Sequence, residues 1–298
     1  METEAKEHVM DGSHDLADGH DRPSVIVDDA GEDRVVFSLP PTRRPDFTSV
    51  TAFALNKSGS VLLNHILRDL CAYLDVPFVA ISEEFFKAGV KLQEAPPSTS
   101  DIFLEKGYCY GGFRRWPTSF AIPILATSRP VLLVRDPRDR LVSNYYSMRE
   151  SHSQPGKNGV LKSAKTELSK RNLAKSLDID DYVREVAPLF LEQLELYRDE
   201  LCARHDVKIY RYEDVIYDKP SWVADLARHF GWDIPGDVLR QIAARNDVIP
   251  DEEQTGKHVR QVHPGNFERK LQPPTIDYLT GYFQNVMADF GYDLSLRG

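Results

Sequence analysis

Two short segments of this chain carry charged and hydroxyl side chains at a point where an apolar strand is followed by a helix. In the first, Arg135 directly follows the apolar run 131–134, and Asp136 and Pro137 favour the start of a helix there. Arg135 is therefore expected at the carboxyl end of a buried strand, where open α/β sheets bind their ligands. Ser143 follows in the helix. An arginine fork beside a hydroxyl suits a phosphate or sulfate group.

The carboxylates beside this arginine leave a second interpretation open. Asp139 has the spacing of a capping box, so it is expected to reach back toward the N-terminal cap of the helix. Arg135 would otherwise pair with Asp136 or Asp139 and only stabilise the turn. The segment alone does not decide between an anion site and a structural ion pair.

The second segment, 57–60, again lies between an apolar strand and a helix and has the sequence Lys-Ser-Gly-Ser. Gly59 permits a tight turn and a close approach of the backbone to a ligand. Ser58 and Ser60 supply hydroxyls, Lys57 adds a mobile positive charge, and the first N–H groups of a helix attract anions. The lysine precedes the glycine, which reverses the Walker A order and disfavours ordinary ATP or GTP hydrolysis. A serine-capped helix with a surface lysine is the structural alternative.

As an ordered pair, the two segments resemble motifs of the sulfotransferases that use 3′-phosphoadenosine 5′-phosphosulfate (PAPS). The family's Lys-Ser-Gly-Thr-Thr loop, which binds the phosphosulfate, is similar to residues 57–60. Its motif for the 3′-phosphate is similar to residues 135–139 together with Ser143. Two weaker similarities follow in the family's order, at 212–214 (Tyr-Glu-Asp) and at 258–267.

This resemblance implies a P-loop-like fold and transfer of a sulfuryl group from PAPS to an acceptor, with PAP as the product and no metal. It implies that Lys57 stabilises negative charge on the oxygen that bridges sulfur and phosphorus, while backbone N–H groups of its loop hold the 5′-phosphate. It also implies that the arginine and serine of the first segment hold the 3′-phosphate. The residues expected to bind the donor are Lys57, Ser58, Gly59, Ser60, Arg135, Ser143, Tyr212 and Arg260.

The acceptor side of the expected site departs from the family pattern. Many cytosolic members carry a histidine in the region that corresponds to 111–115, where this chain has none. Glycan-type members use a glutamate after the first helix, which makes Glu83 and Glu84 the first candidates for the catalytic base. A solvated helix start explains the same two residues. His65, on the helix after the loop, is a further candidate, although a packed or half-exposed histidine is the commoner case.

Arg114 and Arg115 follow another predicted strand and would face the same crevice. They are candidates for binding an anionic acceptor or the sulfuryl group. Surface ion pairs are the alternative for two adjacent arginines.

Two other functions are compatible with parts of the sequence. One is an ATP-dependent P-loop-type kinase, which the order of lysine and glycine disfavours. The other is a sulfotransferase-like binding protein without catalysis, which the missing histidine favours. The presence of Lys57, Arg135 and Ser143 argues against this second alternative.

Composition limits the classes of protein and partner. The chain has 298 residues, 41% of them hydrophobic, a net charge of -9 and three separated cysteines. An acidic chain of this kind disfavours nucleic-acid binding. It has neither an apolar run that could cross a bilayer nor a signal peptide, so we expect a cytoplasmic protein with reduced thiols. The expected acceptor is a small molecule, a lipid or a glycan precursor, and the oligomeric state is open.

Hydrophobic patterns along the chain predict the fold class. Residues 1–40 are acidic and are expected to form a flexible segment, and 41–298 one sulfotransferase domain with a mobile lid around 151–178. Strands alternating with helices predict a three-layer α/β fold with a central parallel sheet. The predicted strands are 24–27, 34–39, 49–55, 108–113, 131–134 and 207–212, and the main predicted helices are 61–73, 179–204, 220–231, 237–244 and 275–290.

Overall fold

The computed structural model describes residues 22–29, 32–151, 169, 171–247 and 262–292. Its centre is a five-stranded sheet in which every neighbouring pair of strands is parallel. The strands are β1 (Ser24–Asp29), β2 (Glu32–Ser38), β3 (Val50–Ala54), β4 (Phe78–Ala80), β5 (Cys109–Phe113), β6 (Val131–Val134) and β7 (Lys208–Arg211). The strand order of the sheet is β4-β5-β3-β6-β7, and β1 and β2 form a separate antiparallel hairpin.

Helices cover both faces of the sheet. They are α1 (Ser60–Leu74), α2 (Ile81–Lys87), α3 (Pro137–Tyr146), α4 (Ile179–Leu196), α5 (Tyr212–Val215), α6 (Lys219–Phe230), α7 (Gly236–Arg245), α8 (Asn266–Lys270) and α9 (Pro273–Asp289). Two of them, α3 and α4, continue into π-helical turns at Ser147–Ser151 and Tyr197–Cys202.

Two apolar cores lie on opposite faces of the sheet because successive side chains of a strand point to opposite sides. Phe53 and Leu132 belong to the first core, which α3, α4 and α9 cover. Ala52 and Leu133 belong to the second core, which α1, α6 and α7 cover. The predicted three-layer α/β fold is confirmed.

The register of the central strands fixes the position of the two segments singled out above. Ala54 of β3 is aligned with Leu133 of β6 in the parallel ladder. The loop that follows β3 and Arg135 that follows β6 therefore emerge side by side at the same edge of the sheet.

The β1–β2 hairpin corrects the predicted domain boundary. It falls inside 1–40, which composition assigns to a flexible segment, yet Val25 and Leu39 are fully buried in the first core. The packed domain therefore begins before residue 41. Residues 1–21 lie outside the described ranges.

The predicted lid around 151–178 lies largely outside the described ranges, since 152–168 and 170 are not among them. The residues 171–176 are helical. No helix in the described part of the chain combines the length and apolar character that a membrane span requires.

Candidate functional site

The loop between β3 and α1 turns sharply through two residues of left-handed conformation. Lys57 has a φ of 67° and Gly59 a φ of 88°. The N–H of Asn56 donates to the carbonyl of Arg114 at 3.2 Å, and the N–H of Ser58 donates to the carbonyl of Leu55 at 3.0 Å. A lysine in this conformation costs about 1–2 kcal/mol, and such local strain is characteristic of functional loops.

The N-terminus of α1, like those of α7 and α9, has no side-chain cap in the described part of the chain, whereas three other long helices have one. Asp136, Asp178 and Asp218 cap the first turns of α3, α4 and α6. No side chain of the described residues caps α1. In addition, the hydroxyl of Ser58 is fully buried and has no hydrogen-bond partner there. Backbone donors and a hydroxyl are thus collected at the positive end of a helix dipole, an arrangement that binds anions.

Arg135 lies where the sequence predicted, at the end of β6, and it is almost completely buried. Its Nη2 is 3.3 Å from Oδ2 of Asp139, and its Cζ lies 4.5 Å from the centre of the Tyr212 ring. Its Nε is enclosed without a partner among the described residues. The ion pair of the structural interpretation therefore exists, but it leaves part of the guanidinium unsatisfied. Ser143 is half-buried in α3.

The capping box predicted for Asp139 is wrong. Its Oδ2 accepts a hydrogen bond from the N–H of Gly265 at 2.9 Å, and its Oδ1 accepts one from the N–H of Phe267 at 3.0 Å. The N–H of Asp136 donates instead to Oε1 of Glu213 at 2.9 Å. Asp139 thus joins α3 to the start of α8, and burial raises the pKa of its carboxyl.

Tyr212 connects the two predicted anion-binding segments. One face of its ring receives the guanidinium of Arg135. The ring also lies close to Gly59, where an added Cβ atom would stand 2.8 Å from Cδ2 of the tyrosine. Its hydroxyl donates to the carbonyl of Val262 at 2.9 Å, and burial raises its pKa to about 12. The tyrosine therefore fixes the spacing between the loop and the arginine.

The candidate bases lie in different surroundings. Oε1 of Glu83 accepts a hydrogen bond from the buried amide of Asn64 at 3.2 Å, and Oε2 pairs with Arg68. Glu84 pairs instead with Lys87 on its own helix, at 2.7 Å.

His65 is exposed on α1. The sequence offered no means of separating His65 and Glu84 from Glu83, because the partners of these side chains are set by how α1 packs on α2.

Of the paired arginines, Arg115 is exposed and Arg114 is half-buried. The Nε of Arg114 is enclosed without a partner among the described residues. The backbone N–H of Arg114 donates to Oγ of Ser82 in a long hydrogen bond of 3.5 Å, which places the first turn of α2 beside the end of β5. Arg260 lies outside the described ranges.

Sequence reasoning missed Arg140, which is completely buried in α3. Its Nε donates to the carbonyl of Asn56 at 3.0 Å, and its Cζ lies 4.9 Å from the centre of the Phe190 ring. The signal in the sequence was a charged residue directly before the apolar pair Leu141 and Val142, both of which are buried.

Together these elements form an edge of the sheet that is rich in cations and backbone donors. Lys57, Arg114, Arg135 and Arg140 all lie at or beside the carboxyl ends of three adjacent strands. Within the described ranges, no three His, Cys, Asp or Glu side chains are grouped as metal ligands would be. The arrangement can hold an extended ligand with two anionic groups.

A family model described as a sulfotransferase domain matches residues 124–291. The matched part contains Arg135, Ser143 and Tyr212, and the loop 57–60 precedes it. No match is found among curated proteins.

Similar solved structures include the mouse sulfotransferase SULT7A1 complexed with PAP, with 14% identity, 82% of this chain and 86% of that chain covered and a TM-score of 0.46. Retinol dehydratase in complex with androsterone and inactive cofactor PAP has 14% identity and a TM-score of 0.49, with 84% of this chain and 83% of that chain covered. A sulfotransferase from Alicyclobacillus acidocaldarius has 15% identity and a TM-score of 0.39, with 84% of this chain and 97% of that chain covered.

Proposed function

Because this chain belongs to the sulfotransferase domain family, we propose that it transfers a sulfuryl group from PAPS to a hydroxyl of a small molecule, a lipid or a glycan precursor. The observation that carries the choice of donor is the position of Tyr212 between Gly59 and Arg135. Tyr212 holds the two groups that we assign to the anions of the donor at a fixed spacing, one after β3 and the other after β6. PAPS carries anionic groups at two separated positions of its ribose, whereas ATP carries its charge in one phosphate chain.

In this proposal the uncapped first turn of α1 and the Ser58 hydroxyl bind the 5′-phosphate of the donor. Arg135 and Ser143 bind the 3′-phosphate. The enclosed Nε of Arg135 has no partner among the described residues, so a phosphate oxygen would satisfy a donor that the protein itself leaves unpaired.

The reaction breaks the bond between sulfur and the bridging oxygen of the donor as a bond forms between sulfur and the acceptor oxygen. Negative charge develops on the bridging oxygen, and Lys57 on its strained loop stabilises it. As in phosphoryl transfer, orientation and charge stabilisation by the protein supply most of the acceleration.

Glu83 is the base that we propose for the acceptor proton. The buried Asn64 amide and Arg68 hold its carboxylate in one orientation. A base whose side chain is held by other groups is better placed for proton transfer than a freely rotating one. We assign to Arg114 and Arg115, which follow strand β5, the attraction of an anionic group of the acceptor.

Ligand binding and transfer test this proposal together. We expect PAP to raise the melting temperature of the protein and ADP at the same concentration to have a much smaller effect. With labelled PAPS and a library of hydroxyl acceptors, label should move to at least one acceptor. Equal stabilisation by ADP and PAP would favour an ATP-dependent enzyme, and PAP binding without any transfer would favour a binding protein.

A further inference from the structure

Arg140 interacts with both of the segments to which the proposed function assigns the phosphates of the donor. On one side its Nε donates to the carbonyl of Asn56, the residue before Lys57, at 3.0 Å. On the other side it is close enough to Arg135 for the two guanidinium groups to repel each other. Arg140 thus holds the start of the donor loop and repels Arg135, the residue that we assign to the 3′-phosphate.

The guanidinium of Arg140 has no counter-charge in the described part of the chain. Its side chain is 0% exposed, and neither Nη1 nor Nη2 has a hydrogen-bond partner there. The guanidinium also packs on the Phe190 ring, with Cζ 4.9 Å from the ring centre. A cation–π contact replaces only a small part of the hydration that a buried cation loses.

A neighbouring arginine of the same helix shows that burial alone does not produce this situation. Arg138 is also buried, but its guanidinium pairs with Asp136. It donates to Oγ1 of Thr280 at 2.9 Å and lies 4.2 Å from the centre of the Phe267 ring. Arg138 therefore has the complete set of partners that Arg140 lacks.

The charge of Arg140 persists at neutral pH. Burial lowers the pKa of Arg140 to about 9; Tyr292 and Tyr197 act to raise it, and the charges of Arg135 and Arg115 act to lower it. An unpaired cation in the interior destabilises the protein that contains it. Its field is also weakly screened, so an anion bound nearby is attracted more strongly than it would be at the surface.

We propose that Arg140 is a positioning residue whose counter-charge is the bound donor. It holds the carbonyl of Asn56 and so the turn of the donor loop, and its unpaired charge gives this edge of the sheet a positive potential that the two phosphates neutralise. Because its terminal nitrogens are enclosed, Arg140 acts through the loop and through its field rather than by touching the reacting atoms. This inference rests on the proposed function.

The inference predicts two effects of opposite sign for Arg140→Met. Methionine removes the unpaired charge and fills much of the same apolar space, so the free protein should melt at the same temperature or higher. The dissociation constant for PAP should rise by about tenfold or more, because the phosphates lose an interior cation. A residue with only a structural role would lower stability and affinity together.

Arg138→Met is the matched control. It leaves the carboxylate of Asp136 buried without its partner, so the free protein should melt at a lower temperature than the parent. Calorimetric titration with PAP and thermal melts of the free protein provide both quantities for the parent and the two variants.

Each outcome decides between the alternatives. If the parent binds PAP and Arg140→Met binds it equally well, the inference is wrong while the proposed function stands. If Arg140→Met weakens binding but also melts at a lower temperature, Arg140→Lys decides: retained affinity supports the role of the charge, and an equal loss contradicts it. If the parent does not bind PAP, the proposed function fails and this inference fails with it.

Discussion

The ring of Tyr212 lies against Gly59, so that a Cβ atom at position 59 would stand 2.8 Å from the ring carbon Cδ2. The same ring receives the guanidinium of Arg135 at 4.5 Å. A residue directly after β7 therefore sets the distance between a loop after β3 and an arginine after β6. The proposed donor site depends on this contact as much as on the residues that would touch the ligand.

Gly59→Ala tests the contact between Gly59 and Tyr212. The left-handed conformation costs alanine about 1–2 kcal/mol, and the clash with Tyr212 adds to it. Gly231→Ala is the control, because Gly231 has a φ of 73° but no atom within 4 Å of an added Cβ. Gly59→Ala should lower the free energy of unfolding more than Gly231→Ala, and it alone should weaken PAP binding. Equal losses in the two variants would mean that the contact with Tyr212 is unimportant.

Lys57→Ala should reduce turnover by about 100-fold or more while changing the dissociation constant for PAP far less. The reason is that the lysine is assigned to charge that develops only during transfer. Single-turnover kinetics with labelled PAPS and calorimetry with PAP measure the two quantities. Lys91→Ala, which removes the partner of Glu94 elsewhere on the chain, is the control for the loss of one positive charge. A collapse of PAP affinity with normal turnover of the bound complex would refute this assignment.

Arg135→Ala should weaken PAP binding by about 2–4 kcal/mol, because a buried phosphate loses a charge-assisted partner. AMP lacks the 3′-phosphate and should bind the parent protein more weakly than PAP does. Its dissociation constant should change little in Arg135→Ala. The carboxylate of Asp139 also loses its partner in this variant, and Arg135→Ala combined with Asp139→Asn separates that effect. If PAP and AMP lose affinity equally, Arg135 does not recognise the 3′-phosphate.

Glu83→Gln should lower the rate of transfer by roughly 100-fold with little change in PAP affinity. Glu84→Gln should have a smaller effect, because Glu84 pairs with Lys87 along its own helix. Rates measured over a range of pH for both variants identify the base: the acidic limb of the profile, where protonation inactivates a base, should change only in the variant that has lost it. A larger loss in Glu84→Gln would move the assignment to that residue.

Glu213 predicts how stability depends on pH. Burial raises the pKa of this carboxyl above its usual value of 4.5, although it accepts hydrogen bonds from Asp136 and Tyr292. The folded state therefore binds the proton more tightly than the unfolded state, and this group lowers stability as the pH rises above about 4.5. Glu213→Gln should reduce that fall when denaturant unfolding is followed from acidic to neutral pH. If the free energy of unfolding of Glu213→Gln depends on pH as that of the parent does, the hydrogen bonds to Glu213 fully offset the cost of burying its charge.

The fold could be predicted wherever apolar runs were long enough. The strands at 50–54 and 131–134 are completely buried, and their sequences are almost entirely apolar. β4 was missed because it has only three residues, and it depends on a distant glycine: a Cβ atom at Gly111 would stand 2.6 Å from the Phe78 ring. Both strands of the hairpin were predicted, but their packing on the first core was not, because acidic neighbours dominate the composition around Val25.

The candidate site could be predicted where a residue's chemistry is local. Lys57 and Arg135 were found because each follows a strand and precedes a helix. Arg140 was missed because its importance comes from burial and from the lack of a partner, and neither can be inferred from three charged residues in a row. The prediction for Asp139 was wrong for a related reason, since the backbone N–H groups that it binds lie 126 and 128 residues away along the chain.

The central position of β3 has a consequence for how this protein is made. It is the first strand of the five-stranded sheet to leave the ribosome, yet its partners in β5 and β6 follow only about 60 and 80 residues later. Until then both of its edges are open and its apolar side chains are uncovered, which is the condition under which nascent chains aggregate. During synthesis of this domain, β3 therefore stays exposed until β6 is available to pair with it. Chaperones that bind apolar segments would act on the chain during that time.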